Sequence, residues 1–175
     1  DTCTPHKSQT NAVAERAVLR TKEGTAATLV QSGLREEWWA QAMMCYCFLR
    51  NIVDIMLGGE TPWKKRFKSD FPGAIIPFGA LIEYMPSDPH EKRIHEFGHK
   101  WLPGIFIGYD QVAGGGWSGD YYVIDQAQLE TATHVSQVAI RRINSPEVRP
   151  IKIGNKFRFP VALGEVKQPP NSKAV

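Results

Sequence analysis

Glu15 is the residue in this chain whose type and surroundings point most directly to chemistry. On a wheel of about 100° per residue, Val18, Leu19, Ala26, Leu29 and Val30 share one arc, and Glu15 and Lys22 fall inside it. A carboxylate among apolar neighbours is costly unless something positive compensates it, so Glu15 is paired, metal-bound or at the rim of a cleft. Arg16 and Arg20 lie on another side with Glu23 and Gln31, where the two arginines suit phosphate contacts or a solvated face. A second basic run, Lys64, Lys65, Arg66 and Lys68, is interleaved with Trp63 and Phe67 and offers the same two readings.

Two other patterns carry less. His95-Glu96-Phe97-Gly98-His99 fits H-E-x-x-H, which in zinc proteases sets two histidines one helical turn apart with the Glu as general base. That arrangement needs a helix, and Gly98, Pro103 and Gly104 leave little room for one, so a surface turn is expected. Gly114-Gly115-Gly116-Trp117 has no following Lys-Ser or Lys-Thr, so it reads as a hairpin loop with a packed aromatic rather than a phosphate cradle. Cys45 and Cys47, i and i+2 on a helix, diverge; with Cys3 they form no disulfide framework and suit a reducing compartment.

The elements that position these residues follow from local signals. Thr10 or Asn11 is placed to cap a helix beginning near residue 10 and ending near Gly33. Glu36 and Glu37 open a second helix, running to Ile55, that is apolar on nearly every side and is expected to be buried over most of its surface. Thr61-Pro62 starts a short third helix. From Phe71 prolines and glycines break the pattern and short β runs follow: 78–85, 104–109, 120–125, one or two within 131–143, and a further piece at 156–161. Strands of this length with Gly-rich links suggest a small barrel. The division expected is 1–70 helical, 71–145 β, and 146–175 a Pro-rich extension, partly disordered and loose from Gln168.

The 175 residues are 42% apolar and 22% charged, with a net charge of +3, which is a globular composition mildly permissive of nucleic acid. The most apolar run, 38–57, is interrupted by Gln41, Arg50, Asn51 and Asp54, too polar for a membrane span. With Asp1 at its start, the chain reads as a fragment of something longer.

The residues Ser8-Gln9-Thr10-Asn11-Ala12-Val13-Ala14-Glu15-Arg16 resemble the end of the catalytic core of copia-type (Ty1/copia) retrotransposon integrases, where a Pro-Gln-Thr-Asn-Gly loop precedes Val-Ala-Glu-Arg. Ser8 and Ala12 depart from the family's Pro and Gly, and the second change removes backbone freedom from the loop. The second helix is similar to the family's "FWAEA…YLINR" segment, "GETPWKKRF" to "GKTPYEAWF", and the runs at 78–85 and 104–109 to "FGCLAYV" and "KGIFLGY".

The resemblance implies an α+β chain: the C-terminal helices of an RNase H-like core, then an SH3-like β-barrel. It implies that Glu15 is the last acid of an Asp, Asp, Glu triad binding two Mg²⁺ or Mn²⁺ ions, which clamp the oxygens of a phosphodiester during cleavage and strand transfer. It assigns Gln9, Asn11, Arg16, Arg20, Lys22, Lys64, Lys65 and Arg66 to DNA. Both aspartates fall outside the chain, so alone it is expected to bind no metal pair and to transfer no strands. The partners implied are element ends, target DNA, the rest of the polyprotein and further copies of the integrase, in the nucleus after a cytoplasmic phase, with no membrane. The alternative is a non-catalytic basic module that binds nucleic acid.

Overall fold

The structure, a computed structural model, describes residues 11–171. Helix α1 (Ala12–Ser32) ends where the sequence places its end: Gly33 adopts φ 75°, and its amide bonds to the Leu29 and Val30 carbonyls. Its start differs from expectation. Asn11 occupies the N-cap but its side chain caps no amide; its Nδ2 instead donates to Glu15 Oε1 at 3.2 Å. Thr10 and Gln9 lie outside the described residues.

The face by which α1 packs corrects the wheel. Val18, Leu19 and Val30 are exposed, whereas Thr25 and Ser32 are buried. Small residues win this interface because they let the backbones approach: a Cβ on Gly24 would stand 2.0 Å from Cζ of Tyr46 on α2 (Trp39–Val53). Buried hydroxyls cost little here because the helix satisfies them itself. Thr25 and Thr28 donate to the Thr21 and Gly24 carbonyls at 2.7 and 2.8 Å, and Ser32 donates to Leu29.

Helix α2 is likewise less covered than its composition suggests. Ala42, Cys45, Phe48 and Ile52 are buried at three- and four-residue spacing, while Trp39, Met44 and Val53 face solvent. The buried stripe crosses strand β2 (Leu102–Gln111), with Phe48 stacked on Tyr109 at 4.5 Å between ring centroids. Helix α3 (Pro62–Phe67) forms as read, with Thr61 Oγ1 accepting from the Lys64 amide at 3.1 Å, and Trp63 joins the same aromatic group.

Strands β1 (Leu81–Tyr84), β2, β3 (Trp117–Asp125), β4 (Arg141–Asn144) and β5 (Val148–Pro150) form one antiparallel sheet in the order β4-β3-β2-β1-β5. A short helix, α4 (Gln126–Thr131), follows β3, and β6 (Lys152–Ile153) pairs with β7 (Lys156–Phe157). The outer strands β4 and β5 lie four strand spacings apart, about 19 Å in a flat sheet. Only Ser145–Glu147 links them, and from Asn144 to Val148 a chain reaches at most about 14 Å. The sheet must therefore curl, and register shifts in β2 at 106–108 and 109–111 supply bends. Among the described residues no ladder joins β4 to β5, so the curl stops short of the closed barrel expected.

The change of texture at residue 71 is a change of secondary structure and not a gap in packing. A single apolar cluster runs from Leu34, Trp38 and Phe48 through Ile82, Phe106 and Tyr121 to Val161 and Val166. The Pro-rich extension is part of it. The Gln168 amide donates to the Gly33 carbonyl at 2.7 Å and its Oε1 accepts from the Arg35 amide at 3.1 Å, while Asn171 donates to Glu36. The expected loose tail is thus pinned through 171, because polar side chains there satisfy the backbone groups that the turn after α1 leaves open.

Candidate functional site

Glu15 projects from the first turn of α1 into a shallow depression lined by Asn11, Ala14, Val18, Leu19 and Lys22. Its side chain is exposed and, among the described residues, is held by the Asn11 amide, and Val18 and Leu19 beside it are each 55% exposed. The sequence-derived grouping of Glu15 and Lys22 on one face therefore holds, with Asn11 joining them, but the face is open. One carboxylate and one amide oxygen are far short of the six or more oxygens a hard divalent cation takes. Among the described residues no group of three or more His, Cys, Asp or Glu side chains is placed to hold a metal ion. The residues present do not by themselves fit a metal pair.

Arg16 and Arg20 turn to the other side of α1, toward α2. They line a groove with Val13, Ala17, Tyr46, Arg50 and Asn51. Arg50 is the residue that sequence reasoning missed. It lies within an apolar run, but the contact of Gly24 with Tyr46 sets an antiparallel register that brings it level with Arg20. Its guanidinium donates to Tyr46 Oη at 3.2 Å and pairs with Asp54 at 3.0 Å, and both partners raise its pKa, the Tyr46 bond most. The available signal was the i,i+4 pair Arg50 and Asp54, out of place on a wholly buried helix.

The α3 basic run is divided. Lys64 pairs with Asp70 at 3.4 Å, Lys65 is exposed, and the Arg66 guanidinium lies 5.5 Å from the Phe67 ring centroid, against the glycine loop at Gly114 and Gly115. That loop is the β2–β3 turn. Trp117 at its end is packed on Phe71 and Tyr121 and donates to the Asp120 carbonyl at 2.7 Å.

The H-E-x-x-H segment forms no helix. Gly98 closes a turn on the His95 carbonyl at 3.0 Å, His95 Nδ1 accepts from the Phe97 amide, and His99 Nε2 stands 3.8 Å from Glu83. The glycine prevails over the motif, and the geometry zinc proteolysis needs is missing.

The most elaborate polar cluster ties this long β1–β2 loop to the sheet. Asp125, 1% exposed, accepts from the Tyr84 hydroxyl, from Arg93 Nη1 at 3.0 Å and from the Gln128 amide at 3.0 Å, thereby capping α4. Burial alone would lift its carboxyl, but Arg93, Tyr84 and Gln128 together outweigh that and hold it below the usual range. Glu91, bonded twice by Arg93 at 2.9 Å, is pulled down to about 2 by that guanidinium. Every member is satisfied, so the cluster is structural.

Compared with models of protein families, with curated proteins and with solved structures, the chain finds no match in any of the three. No helix among the described residues is long and apolar enough to cross a membrane.

Proposed function

We propose that the chain is the C-terminal part of a copia-type retrotransposon integrase, with Glu15 the last metal-ligating acid of its catalytic core and the curled sheet its SH3-like domain. The observation that carries this reading is the open face of α1. A carboxylate flanked by uncovered Val18 and Leu19, with Lys22 two turns on, suits a surface that the remaining strands of an RNase H-like core would cover. The sheet supports the second half: four strands in a meander, with a fifth returning beside the first after one short turn, is the order a small barrel takes as it closes.

In the complete parent, Mg²⁺ or Mn²⁺ would supply the charge that activates and stabilises the oxygens of the phosphodiester. The residues described here contribute one ligand, and no step is assigned to them alone. Asn11 orients Glu15, and Lys22 on the same face supplies a cation for a DNA phosphate. The partners are the element's DNA ends, target DNA, the rest of the polyprotein and further copies of the integrase, acting in the nucleus. In a longer parent carrying this sequence, Glu15→Gln abolishes strand transfer and leaves DNA binding nearly intact. Equal loss of both overturns the role of Glu15.

One observation favours a second reading, a basic module that binds nucleic acid without catalysis: the cations of α1 and α2 converge on a groove away from Glu15.

A further inference from the structure

We infer that α1 and α2 form a separate phosphodiester site, in which Arg16, Arg20 and Arg50 hold the backbone of a nucleic-acid strand other than any strand at Glu15. The inference rests on the nucleic-acid reading above and is independent of the catalytic role of Glu15.

Arg16 and Arg20 are like charges at i and i+4, and neither has a hydrogen bond or ion pair with a described residue. Two guanidiniums on one helical face, with no partner among the described residues, repel each other, and the register of the helix pair adds a third, Arg50, opposite Arg20. Against the three stand two carboxylates: Asp54, which pairs with Arg50 at 3.0 Å, and Glu23, three residues on from Arg20 on the same side of α1. The groove is therefore positive even with that pair made. Arg50 is held in place by Tyr46 and Asp54, so its planar fork is ordered before any ligand arrives.

The geometry selects a chain of phosphates over a single anion. Arg16 and Arg20 are separated by about 6 Å along the helix, close to the axial step of two nucleotides on one strand, about 3.4 Å each. Guanidinium forks bind phosphate oxygens in pairs, and Asn51 on the groove wall adds amide donors of the kind that contact backbone. The basic run on α3 is not arranged in this way: Lys64 is paired to Asp70 and Arg66 is laid on Phe67. Glu15 stands about 100° or more around α1 from Arg16 and Arg20, so a strand lying along the groove does not reach it.

The test is fluorescence anisotropy on the full 175-residue chain, titrated into a labelled DNA duplex, a DNA single strand and an RNA duplex over a salt series. Arg16→Gln with Arg20→Gln is expected to weaken binding about tenfold and to lower the log–log salt slope on duplex DNA by about 2. Adding Arg50→Gln lowers it by about 1 more. Arg16→Lys with Arg20→Lys keeps the charge and retains most of the slope, which separates loss of charge from loss of fold. Lys92→Gln with Lys167→Gln removes the same charge at exposed sites elsewhere and leaves binding unchanged. An equal effect of the lysine pair, no effect of the arginine pair, or no binding of any probe at low salt overturns the groove. Loss of strand transfer in the Glu15→Gln parent alongside an inert groove leaves the integrase reading standing, and the reverse result leaves the groove standing without it.

Discussion

Replacing Asp125 by Asn isolates the cluster that anchors the β1–β2 loop. The change keeps the shape and one acceptor, removes the charge, and leaves Arg93 with Glu91 alone. Losing one partner of a fully buried ion pair costs about 3–5 kcal/mol. Arg93 is 37% exposed and rehydrates in the variant, so a loss of about 2 kcal/mol is expected, in the range of one strong hydrogen bond to a charged group. With a urea dependence of about 2 kcal/mol per molar, the unfolding midpoint falls by about 1 M at neutral pH.

The pH dependence provides a second readout. Because the folded state holds this carboxyl below its unfolded value of about 3.9, its contribution is present above that pH and is lost as pH falls through the lowered value. Glu91 behaves in the same sense, down to about 2. The wild-type chain therefore loses stability on acidification below about pH 4, and the Asn variant, already without the Asp125 share, loses less. A midpoint shift of less than about 0.3 M at neutral pH, or an acid limb as steep as that of the wild type, refutes this account of the cluster.

Two further predictions concern the corner between α1 and α2. Gly24→Ala gains about 1 kcal/mol of helix propensity but drives a methyl into the Tyr46 ring, with a cost of about 1–3 kcal/mol; net destabilisation by thermal melting is expected, turning to stabilisation when combined with Tyr46→Leu. Gln168→Ala removes both its bond to Gly33 and its bond from Arg35, and a loss of about 1–2 kcal/mol in chemical unfolding is expected; a neutral result would mean that the C-terminal segment is not clasped to this corner.

Helix punctuation was legible from local chemistry. Gly33 in the left-handed region and Thr61-Pro62 at the start of α3 are decided by neighbours a few residues away, and the structure keeps them. The strands at 104–109 and 120–125 were likewise readable and are extended by pairing into β2 and β3. Burial was less legible. A wheel reports which residues share a face but not which face meets a partner, and on α1 the interface went to Gly24, Thr25 and Thr28 because small side chains allow a closer approach to Tyr46 than Val18 and Leu19 would. The tail at 168–171 read as loose because its composition lacks apolar residues, yet its polar groups fit the open backbone groups at Gly33 and Arg35.

What the sequence by itself determined, then, is the end of α1, the start of α3, the central strands, and the grouping of Glu15 with Lys22 and of Arg16 with Arg20, since these depend on local period and capping, whereas α4 and β5 were not legible and 131–143 holds one strand only from Arg141. Only the tertiary structure decided that the Glu15 face is open, that Arg50 from a distant helix completes the groove with Arg16 and Arg20, and that Asp125, Arg93 and Tyr84 meet. Those juxtapositions depend on how closely two backbones approach and on how far the sheet curls, and both are set by packing between residues far apart in the chain.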